Sequence, residues 1–130
     1  MPHLHIEVSA DLAAALHWKQ LARDIHLDLA AREWADIGDL KTRVLVCADT
    51  LSGQDGGAQQ LVATLILTRA RAPELQRAMR DRVMAHLEQA VGALRPVHWV
   101  QCCVFIQATP RDDYAKRQWN APAALLPRVR

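Results

Sequence analysis

Residues 1–9 read MPHLHIEVS, and the rest of the chain is interpreted from this stretch. Apolar and polar side chains alternate from Leu4 to Val8, which is the period of a β-strand with one buried face. Pro2 has no N–H group to donate to a sheet, but the first position of a strand tolerates proline. We therefore predict a first strand over residues 2–9.

The composition is that of one ordinary globular domain. The chain has 130 residues, of which 51% are hydrophobic and 23% are charged, and its formal net charge is +2. A single domain over residues 1–130 of this size buries about two thirds of the surface of its unfolded chain. The balanced charge argues against a disordered chain and against nucleic acid as a partner.

Cysteine content and hydropathy predict the compartment. Of the three cysteines, Cys102 and Cys103 are adjacent, and their spacing matches neither a metal-ligand motif nor a disulfide framework. No stretch has the length and apolarity of a membrane span or the pattern of a signal peptide. We expect a cytoplasmic location and no membrane partner.

The other elements follow from periodicity and from turn residues. A strand over 61–68 is apolar on both faces, so we predict that it is central in the sheet. In chain order, the elements after the first strand are a helix from Ser9 or Asp11 to about Trp34, a strand over 41–49, a turn over 52–57, the strand over 61–68, a helix from Pro73 to about Arg95 and a strand over 97–107.

This order predicts an α+β, two-layer fold, a βαββαβ pseudo-repeat with two helices on one face of a four-stranded sheet. Leu4, Ile6, Val44 and Leu65 supply more apolar surface than two helices are expected to cover, which predicts oligomerisation. Residues 109–130 contain too few apolar side chains to fold alone, so we expect a C-terminal tail that packs on a neighbouring subunit.

Four short stretches carry a resemblance to the tautomerase superfamily, and in particular to the 5-carboxymethyl-2-hydroxymuconate Δ-isomerase family. They are the opening MPHLHIEVS, the KTRV of the second strand, the TL strand that ends in Arg71, and the KRQWN of the tail. The resemblance implies a homotrimer whose sheets surround a central barrel and whose helices lie outside. It also implies that Pro2, made N-terminal by removal of Met1, is the catalytic general base.

The chemistry fits an amine base. An α-amino group ordinarily titrates near about 7.7 to 8.0, and apolar surroundings with nearby cations lower that value toward neutrality. Such an amine can take a proton from a dienol and return it to a distant carbon without metal or cofactor. The resemblance implies a small anionic carboxylate substrate, an unsaturated hydroxy-carboxylate such as 5-carboxymethyl-2-hydroxymuconate from aromatic-compound breakdown.

Such a substrate needs cations, because arginine binds carboxylates through two parallel hydrogen bonds and stabilises a developing oxyanion. The resemblance implies Arg71, Arg43 and Lys41 as substrate-binding residues. Lys41 stands where the family has the first arginine of an Arg-x-Arg pair, and lysine lacks the planar fork. Arg69 is a further candidate, with a solvated charge at a strand end as the alternative.

Other functions remain open at this point. If Met1 is retained, the nitrogen of Pro2 is an amide and cannot act as a base. The chain could instead perform another reaction of the same scaffold, such as phenylpyruvate-like tautomerisation or hydration of an unsaturated acid. From a different functional class, it could be a non-catalytic trimeric binding module.

Several remaining side chains have structural interpretations. His3 and His5 share a strand face, but no third ligand follows at a recognisable spacing, so we predict no metal site. We predict that the cysteines Cys47, Cys102 and Cys103 are small core residues, as are the larger Trp18 and Trp99. Trp119 is expected to meet a neighbouring subunit or the pocket, or else to lie on the surface.

Overall fold

The computed structural model describes residues 1–122 and contains four strands and three α-helices. The last part of the predicted tail, residues 123–130, lies outside the described residues. The elements are β1 (Pro2–Ser9), α1 (Ala10–Ala15), α2 (Trp18–Ala31), β2 (Lys41–Cys47), β3 (Gln59–Leu67), α3 (Pro73–Ala93) and β4 (Val100–Ala108). Two short 3₁₀ turns cover Ile37–Asp39 and Arg111–Asp113.

The four strands form one mixed sheet in the order β2-β1-β3-β4. Strand β1 runs parallel to β2, and β3 runs parallel to β4. Each pair is a βαβ unit: α1 and α2 connect the strands of the first pair, and α3 connects those of the second. The two units join through the antiparallel β1–β3 pair. The predicted fold class, a βαββαβ pseudo-repeat with a central third strand and helices on one face, is confirmed.

The core lies between the sheet and the helices. In the β1–β3 register, Leu4 pairs with Leu65 and Ile6 with Ala63, and all four side chains are buried beneath the helices. The helix side of the core comes mainly from α2 and α3. Its buried members are Ile25, Leu29, Met79, Val83, Leu87 and Val91.

This packing corrects one argument from the sequence. Leu4, Ile6 and Leu65, which were predicted to leave apolar surface uncovered, are at most 3% exposed within the single chain. The sheet face without helices presents other residues instead. It carries polar side chains, including His3 and His5, and apolar ones such as Phe105.

The single long helix predicted after β1 is two helices. Leu16 and His17 leave helical geometry, with ψ values of 146° and 88°, although neither glycine nor proline stands there. The indole N–H of Trp18 donates to the carbonyl oxygen of Ala13 at 2.8 Å and so satisfies an acceptor that the break frees. Trp18 also packs against the core, as predicted.

Two predictions about buried residues need correction. Strand β4 begins at Val100, so Trp99 lies before it and is 52% exposed; the prediction that Trp99 is a core residue is wrong. The cysteines Cys47, Cys102 and Cys103 are free and half-buried, and of these three only Cys102 packs against the core. Among residues 1–122, no helix combines the length and apolarity that crossing a bilayer requires.

Helix α2 ends in a turn that fixes the following residue, Trp34. Glu33 adopts a left-handed φ of 61°, and the N–H of Trp34 donates to the carbonyl oxygen of Leu29 at 3.1 Å. This is the pattern of a Schellman motif with glutamate in the position that usually holds glycine. The turn therefore sets the direction of the Trp34 carbonyl group.

A carboxylate on α2 joins the two long helices. Asp28 is 16% exposed and accepts hydrogen bonds from Arg32 of α2 and from Arg82 and His86 of α3, all at 2.7 to 2.9 Å. Burial raises the pKa of Asp28, but these hydrogen bonds outweigh that effect and hold its pKa well below the usual range.

We predict that Asp28→Asn lowers the free energy of unfolding at pH 7 by about 1–3 kcal/mol, because charged hydrogen bonds are lost. Since the folded-state pKa is depressed, the stabilisation is complete above the unfolded-state value of about 3.9 and is lost as the pH falls below it. Denaturant unfolding from pH 7 to pH 3 should therefore show the difference from wild type shrinking. Asp24→Asn, on the exposed side of α2, is the matched control, and an equal effect of both variants would contradict the prediction.

Candidate active site

An open cavity of about 1030 Å³ lies at the end of the sheet where β1 and β2 begin and where β3 and β4 end. Its walls come from the chain start, the turn before β2, and the segments that follow β3 and β4. The charged or hydrogen-bonding side chains that line it are Asp39, Thr68, Arg69, Arg71, Gln76, Thr109, Arg111, Tyr114 and Lys116.

The chain start is held at this cavity. Pro2 is buried and pairs with Leu67 at the end of the central strand pair. The hydroxyl of Thr68 donates to the carbonyl oxygen of Met1 at 2.9 Å, and Met1 itself lines the cavity. The terminal amine is thus fixed beside the cavity by sheet pairing and by one side-chain hydrogen bond.

The surroundings make this amine easier to deprotonate. Burial lowers its pKa below the ordinary value of 8.0, and the positive charge of Arg71 lowers it further. Asp39 acts in the opposite direction, and Arg69 and Lys116 add smaller lowering effects. A lower pKa makes the neutral amine, which is the form that can accept a proton, more accessible than at an exposed chain end.

Arg71 is held by backbone groups. Its Nη1 and Nη2 groups donate to the carbonyl oxygens of Arg69 and Trp34, each at 3.3 Å, while its own carbonyl oxygen accepts from Gln76 at 3.0 Å. Burial and the charge of Arg69 lower the pKa of Arg71. Within residues 1–122, no carboxylate forms a salt bridge with this guanidinium, which leaves donors for an anionic ligand.

Two of the predicted substrate-binding residues, Lys41 and Arg43, lie outside this cavity. They share the helix-free face of the edge strand β2, as their spacing by two predicts. Lys41 donates to the carbonyl oxygen of Gly38, and the guanidinium of Arg43 lies 3.1 Å from Nδ1 of His3. Neither lines the cavity of its own chain, so their role in substrate binding stays a prediction.

The histidines and the tail also have defined places. Burial lowers the pKa of His3, as do Arg43 and Lys41, which favours the neutral ring that accepts a hydrogen bond from Arg43. Among residues 1–122, no three His, Cys, Asp or Glu side chains are arranged to hold a metal ion. Trp119 is 81% exposed and does not line the cavity.

Sequence reasoning missed part of the cavity. Asp39, Arg111 and Tyr114 were not predicted, and Lys116 entered the sequence analysis as the first residue of the KRQWN stretch rather than as a cavity residue. The one signal for Asp39 is its place two residues before a strand that pairs with β1. The tail residues line the cavity of their own chain, while packing of the tail on a neighbouring subunit stays a prediction.

We predict that Arg71→Gln raises the pKa of the terminal amine, because the strongest lowering charge is removed while burial persists. The rate of acylation of the terminal amine as a function of pH, followed on the N-terminal peptide by mass spectrometry after proteolysis, reports this pKa separately from the lysine side chains. Arg77→Gln, an exposed position on α3 outside the cavity, should leave it unchanged. Identical profiles for Arg71→Gln and wild type would show that Arg71 does not act on the amine.

Several solved structures have a fold similar to that of this chain. A 5-carboxymethyl-2-hydroxymuconate isomerase from Deinococcus radiodurans R1 matches with a TM-score of 0.79 and 18% identity over 89% of this chain and 88% of that chain. A 5-carboxymethyl-2-hydroxymuconate delta-isomerase matches with a TM-score of 0.78 and 15% identity over 100% of this chain and 95% of that chain.

A more distant match is a fused wild-type 4-OT described as a symmetric trimer, with a TM-score of 0.67 and 14% identity over 88% of this chain and 90% of that chain. Neither the comparison with protein-family models nor that with curated proteins gives a match. The structural similarities confirm the tautomerase fold that the opening sequence predicted.

Proposed function

We propose that this protein is a cofactor-independent isomerase of the tautomerase type, with Pro2 as general base after removal of Met1. The observation that carries the proposal is the chain start, held at the cavity where burial and the charge of Arg71 lower the pKa of the α-amino group of Met1. Removal of Met1 would leave the secondary amine of Pro2 at the end of the same buried strand.

The reaction moves one proton within the substrate. The neutral amine takes the hydroxyl proton of a dienol, the electrons shift along the conjugated system, and the resulting ammonium returns a proton to a carbon atom. No atom is gained or lost, so the net change is the position of a double bond. The proline ring limits the directions in which the nitrogen can point, which favours a fixed path for the proton.

The substrate class follows from the cations. Arg71 is proposed to bind a carboxylate or the developing oxyanion through the donors that its backbone contacts leave free. Arg69 lines the same cavity and adds positive charge. The fold shared with two proteins described as 5-carboxymethyl-2-hydroxymuconate isomerases supports an unsaturated hydroxy-carboxylate of that kind as substrate.

We also propose a homotrimer in the cytoplasm. The helix-free sheet face carries Phe105 and Leu45 at 58% and 47% exposure, and a fused 4-OT of the same fold is described as a trimer. Lys41 and Arg43 lie on this face, so subunit association would bring them to a boundary between chains. This supports their proposed role as substrate-binding residues of the assembled protein.

The central prediction concerns the free amine. Intact-mass spectrometry of the protein purified from its own cells should show loss of one methionine. The processed chain should then isomerise a muconate-type dienol, and acylation of its terminal amine should lower kcat by about 10²–10⁴-fold, as expected for loss of a positioned base. Pro2→Ala keeps a primary amine at the chain end and should lower kcat by less, because no ring then orients the nitrogen. Binding of a non-reactive dicarboxylate should stay within about two-fold, because Arg71 is unchanged.

Two results would overturn the assignment. Uniform retention of Met1 would leave an amide at Pro2 and would favour the binding-module alternative. Turnover at the original rate after acylation of the terminal amine would exclude that amine as base. Thermal unfolding of Pro2→Ala must be measured alongside, because Pro2 is buried and its replacement removes some packing.

The proposed assembly has a separate test. Light scattering on the processed protein should give three times the chain mass of 14.5 kDa. Phe105→Glu, which places a charge on the helix-free face and leaves the core untouched, should shift the protein toward monomers. Wild-type protein that is monomeric at micromolar concentration would contradict the trimer.

A further inference from the structure

One acidic side chain lines a cavity that is otherwise basic. Among the lining residues of the described chain, Asp39 alone carries a carboxylate, whereas Arg69, Arg71, Arg111 and Lys116 are cationic. The charge of Asp39 acts on two groups of this cavity, the guanidinium of Arg71 and the α-amino group of Met1. Arg71 is positive throughout, whereas the amine gains its charge only when it takes a proton.

The backbone fixes the position of Asp39. The N–H of Asp39 donates to the carbonyl oxygen of Asp36 at 2.9 Å, and the next residue, Leu40, is buried in the core. Strand β2 begins directly afterwards at Lys41, which pairs with His3, and Asp39 and Met1 line the same cavity. The half-buried carboxylate consequently stands beside the start of β1.

We propose that Asp39 is a positioning residue that stabilises the positive charge formed on the terminal amine when the amine takes the substrate's proton. This inference rests on the proposed function, whose base is that amine. Because its charge is negative, Asp39 also disfavours a second substrate carboxylate at this end of the cavity.

The charged groups around the chain start determine the direction in which the pKa of the terminal amine is shifted. The cations that face the amine are Arg71 and Arg69 from the segment after β3 and Lys116 from the tail, while His3 is the titratable neighbour on β1. All three cations lower the pKa of the α-amino group of Met1, and Asp39 raises it. We expect the same signs for the amine of Pro2, which follows Met1 in the chain. A base with too low a pKa accepts a proton weakly, so Asp39 offsets part of the lowering.

The test is Asp39→Asn, which keeps the shape of the side chain and removes its charge. The amine pKa is followed in processed protein labelled with ¹⁵N-proline, by NMR titration without substrate. We expect it to fall by about 0.5–1 pH unit, as one nearby charge at a partly exposed site produces. The acid limb of kcat/KM should move to lower pH by the same amount.

Two matched variants separate charge from structure. Asp39→Glu keeps the charge and should keep the amine pKa near the wild-type value, and Asp36→Asn removes an exposed carboxylate of the same turn without touching the cavity. KM for a substrate with two carboxylates should fall about 2–5-fold in Asp39→Asn relative to one with a single carboxylate, because a repulsion is removed. Asp39→Ser repeats the test if Asp39→Asn does not fold.

The outcomes distinguish this inference from the proposed function. An amine pKa that is the same in Asp39→Asn and wild type overturns the role of Asp39, whatever the enzyme catalyses. A lowered amine pKa in a protein without isomerase activity supports the effect of Asp39 on the amine and overturns the proposed reaction. A shift of equal size in Asp36→Asn would show a general effect of net charge and would also overturn the inference.

Discussion

The antiparallel pairing of β1 with β3 is the constraint on which the rest of the structure depends. It joins the two βαβ units, and its register places Leu4 and Ile6 on the helix side together with Leu65 and Ala63. A slip by one residue would turn these side chains away from the core and expose them. The same register sets Pro2 opposite Leu67, so the packing of the core and the location of the amine are fixed together.

The proposed function places two opposing requirements on the cavity. Binding an anionic substrate calls for cations, yet each cation near the amine weakens it as a base. Arg71 is positioned by the carbonyl oxygen of Trp34, which the turn at the end of α2 orients, so a helix terminus contributes to the site without touching the ligand. Asp39 provides the opposing charge from a different element.

Much of the fold was accessible from the sequence because strands and helices leave periodic patterns. The alternation after Pro2 and the apolar run over 61–68 predicted the two central strands. The break at Leu16 was not predicted because the apolar spacing continues across it and no glycine or proline marks it. Trp99 was misassigned because an aromatic side chain next to a strand looks like a part of that strand.

The candidate site was accessible only where short motifs carried the resemblance. Met1, which precedes Pro2, and Arg71 line one cavity at the end of the sheet, whereas Lys41 and Arg43 lie on the helix-free face outside that cavity. Asp39 and Arg111 come from turns, which have no periodicity to reveal where their side chains lie. Their contribution depends on tertiary register, which a single sequence does not display.

The walls of the cavity come largely from connecting segments at one end of the sheet, while the core lies between the strands and the helices. At the other end, Ser9 links Thr50 and Gln60 through hydrogen bonds of 2.7 and 2.8 Å. Substitutions in the turn before β2 or in the segment after β4 can therefore alter the shape and charge of the cavity at little cost to folding. Such an arrangement lets the substrate range diverge during evolution, or be redesigned, while the scaffold remains the same.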